Sequence, residues 1–503
     1  MRKVLVRAGI PVLALIVGCV GASRAPAAPW DDPIVSPELP LTAQALGPQV
    51  QPSIAFDGTN YLAAWSEYRP PTQQIFGGRL SASGEPLDGD GFVVASGPEN
   101  LLYAPVVARG GDNYLVSWTG CYHYMEVDHC SLYAARVSRE GGVLDPNGIL
   151  LQSPIDPSTG KAVAFDGANY LVVWDAGTKI SATRVSQDGV VLDPQAIPIW
   201  AQDFVRLPAV AFDGTNYLVA WEDYAAGDAD VIAVRVRPDG TILDPYGIPV
   251  APTVGNQEVP QIAFDGTDYL VAWQGGLSGD RGVCARRVTE WGDVLDPAGI
   301  PIATSGNETS PVVTFATPYY VVVWQGLRNG GSHLFGARVA PDGAVLDPAG
   351  FVVSDVGSYE AVSGITAPWI GRATVAYGRY DGTSRAFLRF IDEAQPPPPP
   401  PPSSAGCLPQ EPHPPPPPPP PPPGLLPPPP WPPAPSAKCH VPKVVGLSSR
   451  AAGRRIRGRH CRVGRVRRVH TRRAWRGRVV AQGRRAGRVL ERGAKINLTL
   501  GRR

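Results

Sequence analysis

PQIAFDGTDYLVAW, residues 260–273, is the clearest copy of the unit from which most of the chain is built. An apolar run from Gln261 to Phe264 meets Asp265-Gly266, a pair that tolerates positive φ and so favours a hairpin turn. Tyr269 to Trp273 then returns as a second strand. The same text recurs as PSIAFDGTNYLAAW (52–65), KAVAFDGANYLVVW (161–174) and PAVAFDGTNYLVAW (208–221), with weaker copies ending at Trp118 and Trp324. Trp65, Trp118, Trp174, Trp221, Trp273 and Trp324 stand 53, 56, 47, 52 and 51 residues apart, and a degenerate seventh copy carries Tyr377 in the Trp place. After each copy comes a third strand such as VIAVRV (231–236), a turn such as RPDG (237–240) and a fourth strand such as IPVA (248–251).

Seven units of about 50 residues, each with four short strands, predict a mainly β chain folded as a seven-bladed β-propeller over residues 38–391. An open solenoid would need a capping repeat at each end. Here the last unit stops at Phe390 after three strands, while PLTAQALGPQVQP (40–52) aligns with the fourth-strand text PVAPTVGNQEVP (249–260). The N-terminal segment is therefore expected to supply the last blade's outer strand and cover its edge. The repeat resembles those of secreted bacterial propeller proteins over about 350 residues.

Length and composition bound the rest. The chain has 503 residues, 43% hydrophobic and only 18% charged, and its 58 prolines are concentrated in one place. Arg2, Lys3 and Arg7 precede an apolar stretch from Ala8 to Val20, and Ala25-Pro26-Ala27 forms a small-residue cleavage site. Residues 1–28 thus read as a signal peptide, and the protein as extracytoplasmic. Ile16-Val17-Gly18-Cys19 also fits a lipobox, which would lipidate Cys19 and anchor the chain at the cell surface.

Residues present in every blade are most simply structural. The Trp residues are expected to pack between blades. Arg79, Arg136, Arg184, Arg235, Arg287, Arg338 and Arg389, at one position of the third strand, are expected to pair or stack with the periodic Asp and Trp residues. Asp57, Asp166, Asp213 and Asp265 each stand alone beside Gly, without the spaced oxygen ligands of a Ca²⁺ loop. The loops from second to third strand, and from fourth to the next first strand, vary strongly and share one face. That face carries Tyr68, Tyr122, Tyr124, Trp200, Tyr224 and Tyr380, with Tyr103, Phe204, Tyr359 and several acids beside them. Aromatic platforms next to polar groups suit a glycan or peptide ligand, so these six residues are the candidate ligand-binding set.

No enzyme signature stands out. The first-strand starts read Ser53, Val106, Ala162, Ala209, Gln261, Val312 and Gly364, none of them the acid a propeller hydrolase places near its axis. The Asp box S-x-D-x-G-x-x-W, H-E-x-x-H, G-x-S-x-G and the P-loop are absent. No catalytic residue, metal or cofactor is expected on this reading. Cys121 and Cys130 flank one variable loop and suit a disulfide in an oxidising compartment; a zinc site with His123 and His129 is the alternative. Cys284 sits at an apolar strand position, and Cys407 lies in the linker.

Residues 392–438 form that linker, with 26 prolines between Pro396 and Pro435. Such text adopts polyproline II and, at about 3.1 Å per residue, spans up to about 120 Å. Residues 439–503 carry 21 Lys and Arg against the single acid Glu491, whereas the rest of the chain has 25 basic against 43 acidic residues. VPKVVGLSS (441–449) reads as a strand and helix cap and SRAAGRRIRGRH (449–460) as a short helix, with three further strands after it. VPKVVGLS, Gly464, Val479-Val480-Ala481-Gln482, Gly487 and the closing GAKINLTL (493–500) resemble a PASTA domain. That resemblance implies a small α/β module of bacterial extracytoplasmic proteins, associated with peptidoglycan fragments and not itself catalytic. Gly483-Arg484 replaces the family's usual Ser-Pro. Cys439 and Cys461 bracket the first strand and helix as a natural disulfide pair. Arg454, Arg455, Arg467, Arg468, Arg472 and Arg473 are the candidate contacts to a polyanion. Export argues against nucleic acid as the partner, and peptidoglycan or an anionic wall polymer is the expected one. Taken together, the sequence leads to a non-catalytic, wall-associated binding scaffold, with a propeller enzyme acting on extracellular glycans as the alternative.

Overall fold

The structure is a computed structural model that divides into two units, Met1–Pro400 and Pro401–Arg503. It describes residues 32–393 apart from 98–100, 125–126, 157–159, 202–203, 252–254, 276–280, 305–306, 329, 357–358 and 370. In the second unit it describes 439–440, 461–470, 479–483, 489–490 and 494–502. The signal segment with Cys19, the proline linker, and Arg454, Arg455, Arg472 and Arg473 lie outside the described residues.

The first unit is the expected ring of seven blades. One blade shows the plan: Val205–Phe212, Tyr217–Asp223, Asp230–Val236 and Ile248–Ala251 pair antiparallel in sequence order. The Asp-Gly hairpins form because each Asp caps its own turn. Asp213 Oδ1 accepts the N–H groups of Thr215 and Asn216 at 2.6 and 2.7 Å, and Asp57, Asp166 and Asp265 do the same in their blades. Along the axis each first strand lies against the first strand of the next blade, and the last, Tyr359–Trp369, lies against Gln49–Phe56 of the first. This cycle is what a closed ring requires.

The core is divided among the blade interfaces. The buried apolar clusters each join two consecutive blades, and each is centred on the repeated Trp, or Tyr377, packed on the preceding blade. Trp65, Trp221, Trp273 and Trp324 are fully buried, as expected of residues whose loss costs about 3–5 kcal/mol. Polar ties run in the same direction. The Tyr170, Tyr217, Tyr269 and Tyr320 hydroxyls donate to main-chain carbonyls of the preceding blade at 2.7–3.3 Å. The periodic Arg residues fork onto the Asp nine residues later, as in Arg184–Asp193 at 2.8 Å. Their remaining arm reaches the next blade's turn, as from Arg184 to the Pro238 carbonyl at 3.1 Å. The Arg partner is thus the Asp of the LDP segment, while the Asp of the AFDG segment is occupied in its own hairpin.

The N-terminal segment closes the ring as expected, but through strands that lie mostly ahead of residues 40–52 and begin before the expected start at 38. Ile34–Val35 and Leu39–Pro40 pair antiparallel with the last blade's third strand, Ser384–Asp392. Arg389 departs from the Arg–Asp pattern here: its guanidinium donates to the Tyr377 hydroxyl and the Ser36 carbonyl. Glu38 accepts from Tyr377 at 2.7 Å and pairs with Arg379.

In the second unit Arg462–His470 runs parallel to Lys495–Arg502, which pairs antiparallel with Val479–Gln482. Cys461, Val479, Ile496, Leu498 and Leu500 are buried, and Cys461 is disulfide-bonded. The expected helix over 449–460 lies outside the described residues, and those that are described contain no helix.

Candidate active site

The variable face is shaped by a device in the first strands. Gln51, Ala104, Leu207, Val259 and Ser310 each precede a Pro and adopt φ between 47 and 54°. Each sits at a break in register with the second strand. Left-handed backbone costs an L-residue about 1–2 kcal/mol. An inter-blade hydrogen bond holds it in place. The Leu207 N–H donates to Asp175 at 2.9 Å, Val259 to Glu222 at 2.6 Å and Ser310 to Gln274 at 3.0 Å. Each acceptor is the residue that follows the repeated Trp of the preceding blade. The bulge lets the first strand run through its Pro and continue two to four residues onto the variable face.

This corrects the reading that no acid stands at a first-strand start. Taking Pro as the strand boundary places the starts too late. The strands in fact begin at Glu258 and Glu308 in two blades, and with Tyr359-Glu360 in the last. Two of these acids are occupied by structure. Glu308 accepts from Trp324 Nε1 and Arg328 at 2.7 Å, and Glu360 accepts from Ser354 Oγ at 2.6 Å.

Glu258 is less enclosed than these two. It is half-buried and accepts from Gln274 Nε2 at 2.9 Å and Asn256 Nδ2 at 3.2 Å. Glu222, on the facing edge of the preceding blade, is buried and accepts from the N–H of Val259, the neighbour of Glu258, and from the Tyr224 hydroxyl at 3.2 Å. Burial pushes the Glu222 carboxyl above its ordinary range, and the charge of Glu258 pushes the same way against the Val259 and Tyr224 hydrogen bonds. Burial and the two carboxylates push the Tyr224 phenol up to about 12, so it remains a proton donor at neutral pH. Two carboxyl groups in unlike surroundings, with a phenol bonded to one, can divide acid and base roles.

Val259 and Leu207 also line a funnel of about 560 Å³ that opens at the first-strand starts. Its rim includes Tyr359 and Tyr380, exposed cross-strand partners in the last blade. Arg379 is the one charged side chain among the described residues lining it, and Glu38 and Asp381 both pair with it. Further along the first strands is a polar channel of about 260 Å³.

The candidate ligand residues do not converge on one site. Tyr380 reaches the funnel, and Tyr224 joins the carboxyl pair. Tyr68 is exposed at a hairpin end. Tyr122 stacks on His129, 5.0 Å between centroids, beside the Cys121–Cys130 disulfide, which leaves no zinc site there. Tyr124 ends the same strand. Trp200 packs on Trp221 and donates to Asp223 at 3.0 Å, and so belongs to the blade interface. Arg467 is exposed on the strand that also carries Arg468. Glu222 and Glu258 were missed as a pair, although Trp-Glu at 221–222 and Glu-Val-Pro at 258–260 were legible. Among the described residues no three His, Cys, Asp or Glu gather as a metal site.

No family model and no curated protein matches the chain. Solved structures do. A protein of unknown function from Dyadobacter fermentans DSM 18053 is 10% identical over 71% of this chain and 98% of its own, with a TM-score of 0.46. A GH43 endo-arabinanase from Bacillus licheniformis is 10% identical over 45% of this chain and 91% of its own, with a TM-score of 0.31. Trypanosoma rangeli sialidase is 10% identical over 71% of this chain and 57% of its own, with a TM-score of 0.38. At these identities and TM-scores the likeness assigns no residue. The expectation of a non-catalytic scaffold is nevertheless corrected: the matched proteins whose names state an activity, arabinanase and sialidase, are enzymes.

Proposed function

We propose that the propeller is a hydrolase of extracellular glycans working at Glu222, Glu258 and Tyr224 beside the axial funnel. The observation that carries this reading is the pair itself: a buried carboxyl biased toward its protonated form next to a half-buried one. Glycoside hydrolysis needs one carboxylic acid to protonate the leaving oxygen and one carboxylate to act as base or nucleophile. Glu222 fits the acid and Glu258 the carboxylate. Tyr224 orients Glu222 through its hydroxyl, and Tyr359 and Tyr380 offer apolar ring faces at the funnel rim for a sugar.

The flanking segments fit an extracytoplasmic setting. Residues 1–28 would direct export, with Cys19 lipidated in the lipoprotein form, and the Cys121–Cys130 disulfide suits an oxidising compartment. The PASTA-like unit, at the end of the proline spacer, would hold the enzyme to peptidoglycan or an anionic wall polymer through its excess of Arg. The test is a panel of plant, bacterial and animal polysaccharides, with reducing ends measured after incubation with the full chain. Release from at least one polymer, lost in Glu258→Gln, is expected. No release from any polymer would overturn the reading.

A further inference from the structure

The axial channel carries a chemical group that neither the repeat nor the carboxyl pair explains. The position that is Pro52, Pro105, Pro208, Pro260 and Pro311 in five blades, and Ser363 in the last, is Lys161 in the third. Lys161 is the one charged side chain among the described residues lining the channel of about 260 Å³, whose other polar side chains are Ser53, Gln261 and Ser363. It is 8% exposed, and its Nζ donates to Thr119 Oγ1 at 3.0 Å. Asp175 follows Trp174, the cross-strand partner of Lys161. The Asp175 carboxyl is buried, with Oδ2 accepting from Leu207 N–H and Oδ1 without a hydrogen-bond partner among the described residues. Residue 160 is Gly, and a Cβ there would stand 2.0 Å from Asp175 Oδ2 and displace that carboxyl.

We propose that Lys161 forms an imine with a small hydroxylated aldehyde or ketone, such as an open-chain sugar, that enters the axial channel. The Nζ lone pair attacks the carbonyl carbon to give a carbinolamine. Both amine hydrogens then leave with the carbonyl oxygen as water, Asp175 relaying the protons, and the C=N bond remains. No oxidant or reductant is consumed. Ser53, Gln261 and Ser363 offer hydrogen bonds to the ligand's hydroxyl groups.

Electrostatics favours the attacking form of the amine. Burial pushes the Lys161 ammonium down to about 7, with Asp175 pulling the other way. Burial pushes the Asp175 carboxyl up to about 6, against the Leu207 N–H and the charges of Lys161 and Arg206, and with that of Asp156. At pH 7 about half of Lys161 is then neutral, against roughly one in 2,500 for an ordinary lysine.

The test is to incubate the full chain with glyceraldehyde and cyanoborohydride at pH 7 and map modified lysines by peptide mass spectrometry. Lys179, exposed on the same blade, is the internal control. Lys161 is expected to be trapped at least about tenfold faster than Lys179, reflecting its neutral fraction against that of an ordinary lysine, less the cost of entering the channel. Asp175→Asn is expected to slow trapping at Lys161 and leave Lys179 unchanged. Trapping at Lys179 that equals or exceeds that at Lys161 would overturn the proposal, and wild-type protein alone decides it.

Discussion

Removing residues 32–41 from the full chain takes away the strand that closes the ring. The loss can be built up from the contacts. Leu41 is 1% exposed within the cluster that joins the last blade to the first, and emptying such a site costs about 2–5 kcal/mol. The main-chain bonds from Ser36 N–H to the Phe390 carbonyl and from Leu41 N–H to the Ala386 carbonyl go with it. So do the acceptors of Tyr377 and Arg379 on Glu38 and that of Arg389 on Ser36. Each ordinary hydrogen bond contributes about 1 kcal/mol net, and a charged partner left half-buried costs more. The total is at least about 5 kcal/mol, comparable with the whole stability of many domains. Urea unfolding followed by Trp fluorescence should show a much lower midpoint. Size-exclusion chromatography should show association through the bared edge of Ser384–Asp392. An unchanged midpoint together with a monomeric elution volume would refute the closure argument.

Lys161→Met should change how the propeller's stability depends on pH, because it removes a buried titratable amine. With its folded pKa near 7, below the unfolded 10.5, wild-type Lys161 binds fewer protons folded than unfolded. Wild-type stability should therefore rise from about pH 7 toward 10.5, and the variant should flatten that rise in urea titrations. Asp193→Asn should cost about 1–2 kcal/mol by breaking the fork with Arg184, which holds the Asp193 carboxyl below its usual range. That contribution is present above the unfolded carboxyl pKa and lost as pH falls through the folded one, so wild type and variant should converge in acid. Replacing Cys121 and Cys130 by Ser should lower the thermal midpoint by the equivalent of up to about 2.5 kcal/mol for so short a loop, with reductant giving the same shift in wild type. Retention of the full chain on isolated cell walls should fall steeply between about 50 and 200 mM salt if the Arg-rich unit binds by charge, and salt-insensitive retention abolished by soluble muropeptide would refute that.

The architecture was legible because a repeat states its own period. Trp spacing, the Asp-Gly hairpins and the truncated last unit lead directly to seven blades and an N-terminal closing strand. The site was harder to read, for a reason visible at Val259-Pro260. Pro normally marks a strand boundary, yet here a residue at φ 53° absorbs it as a bulge and the strand begins at Glu258. The acids at the true starts, Glu258, Glu308 and Glu360, consequently went unread. The aromatic residues were over-read in turn. Trp200 has the composition of a ligand platform, but its indole packs on Trp221, a contact across strands that no local pattern records. The partnership of Glu222 and Glu258 depends on an inter-blade hydrogen bond between residues 37 positions apart, from Val259 to Glu222, and only the fold brings them together.

The central claim is that Glu222 and Glu258 share the chemistry of one glycan-cleaving site. Its most direct test is kcat for reducing-end release from a cleaved polysaccharide, compared among wild type, Glu222→Gln, Glu258→Gln and the double variant. The account expects each single change to lower kcat by at least about a hundredfold, the double to fall little further, and the alkaline decline of the wild-type pH profile to vanish in Glu222→Gln. Single variants that retain wild-type kcat while remaining folded would contradict it.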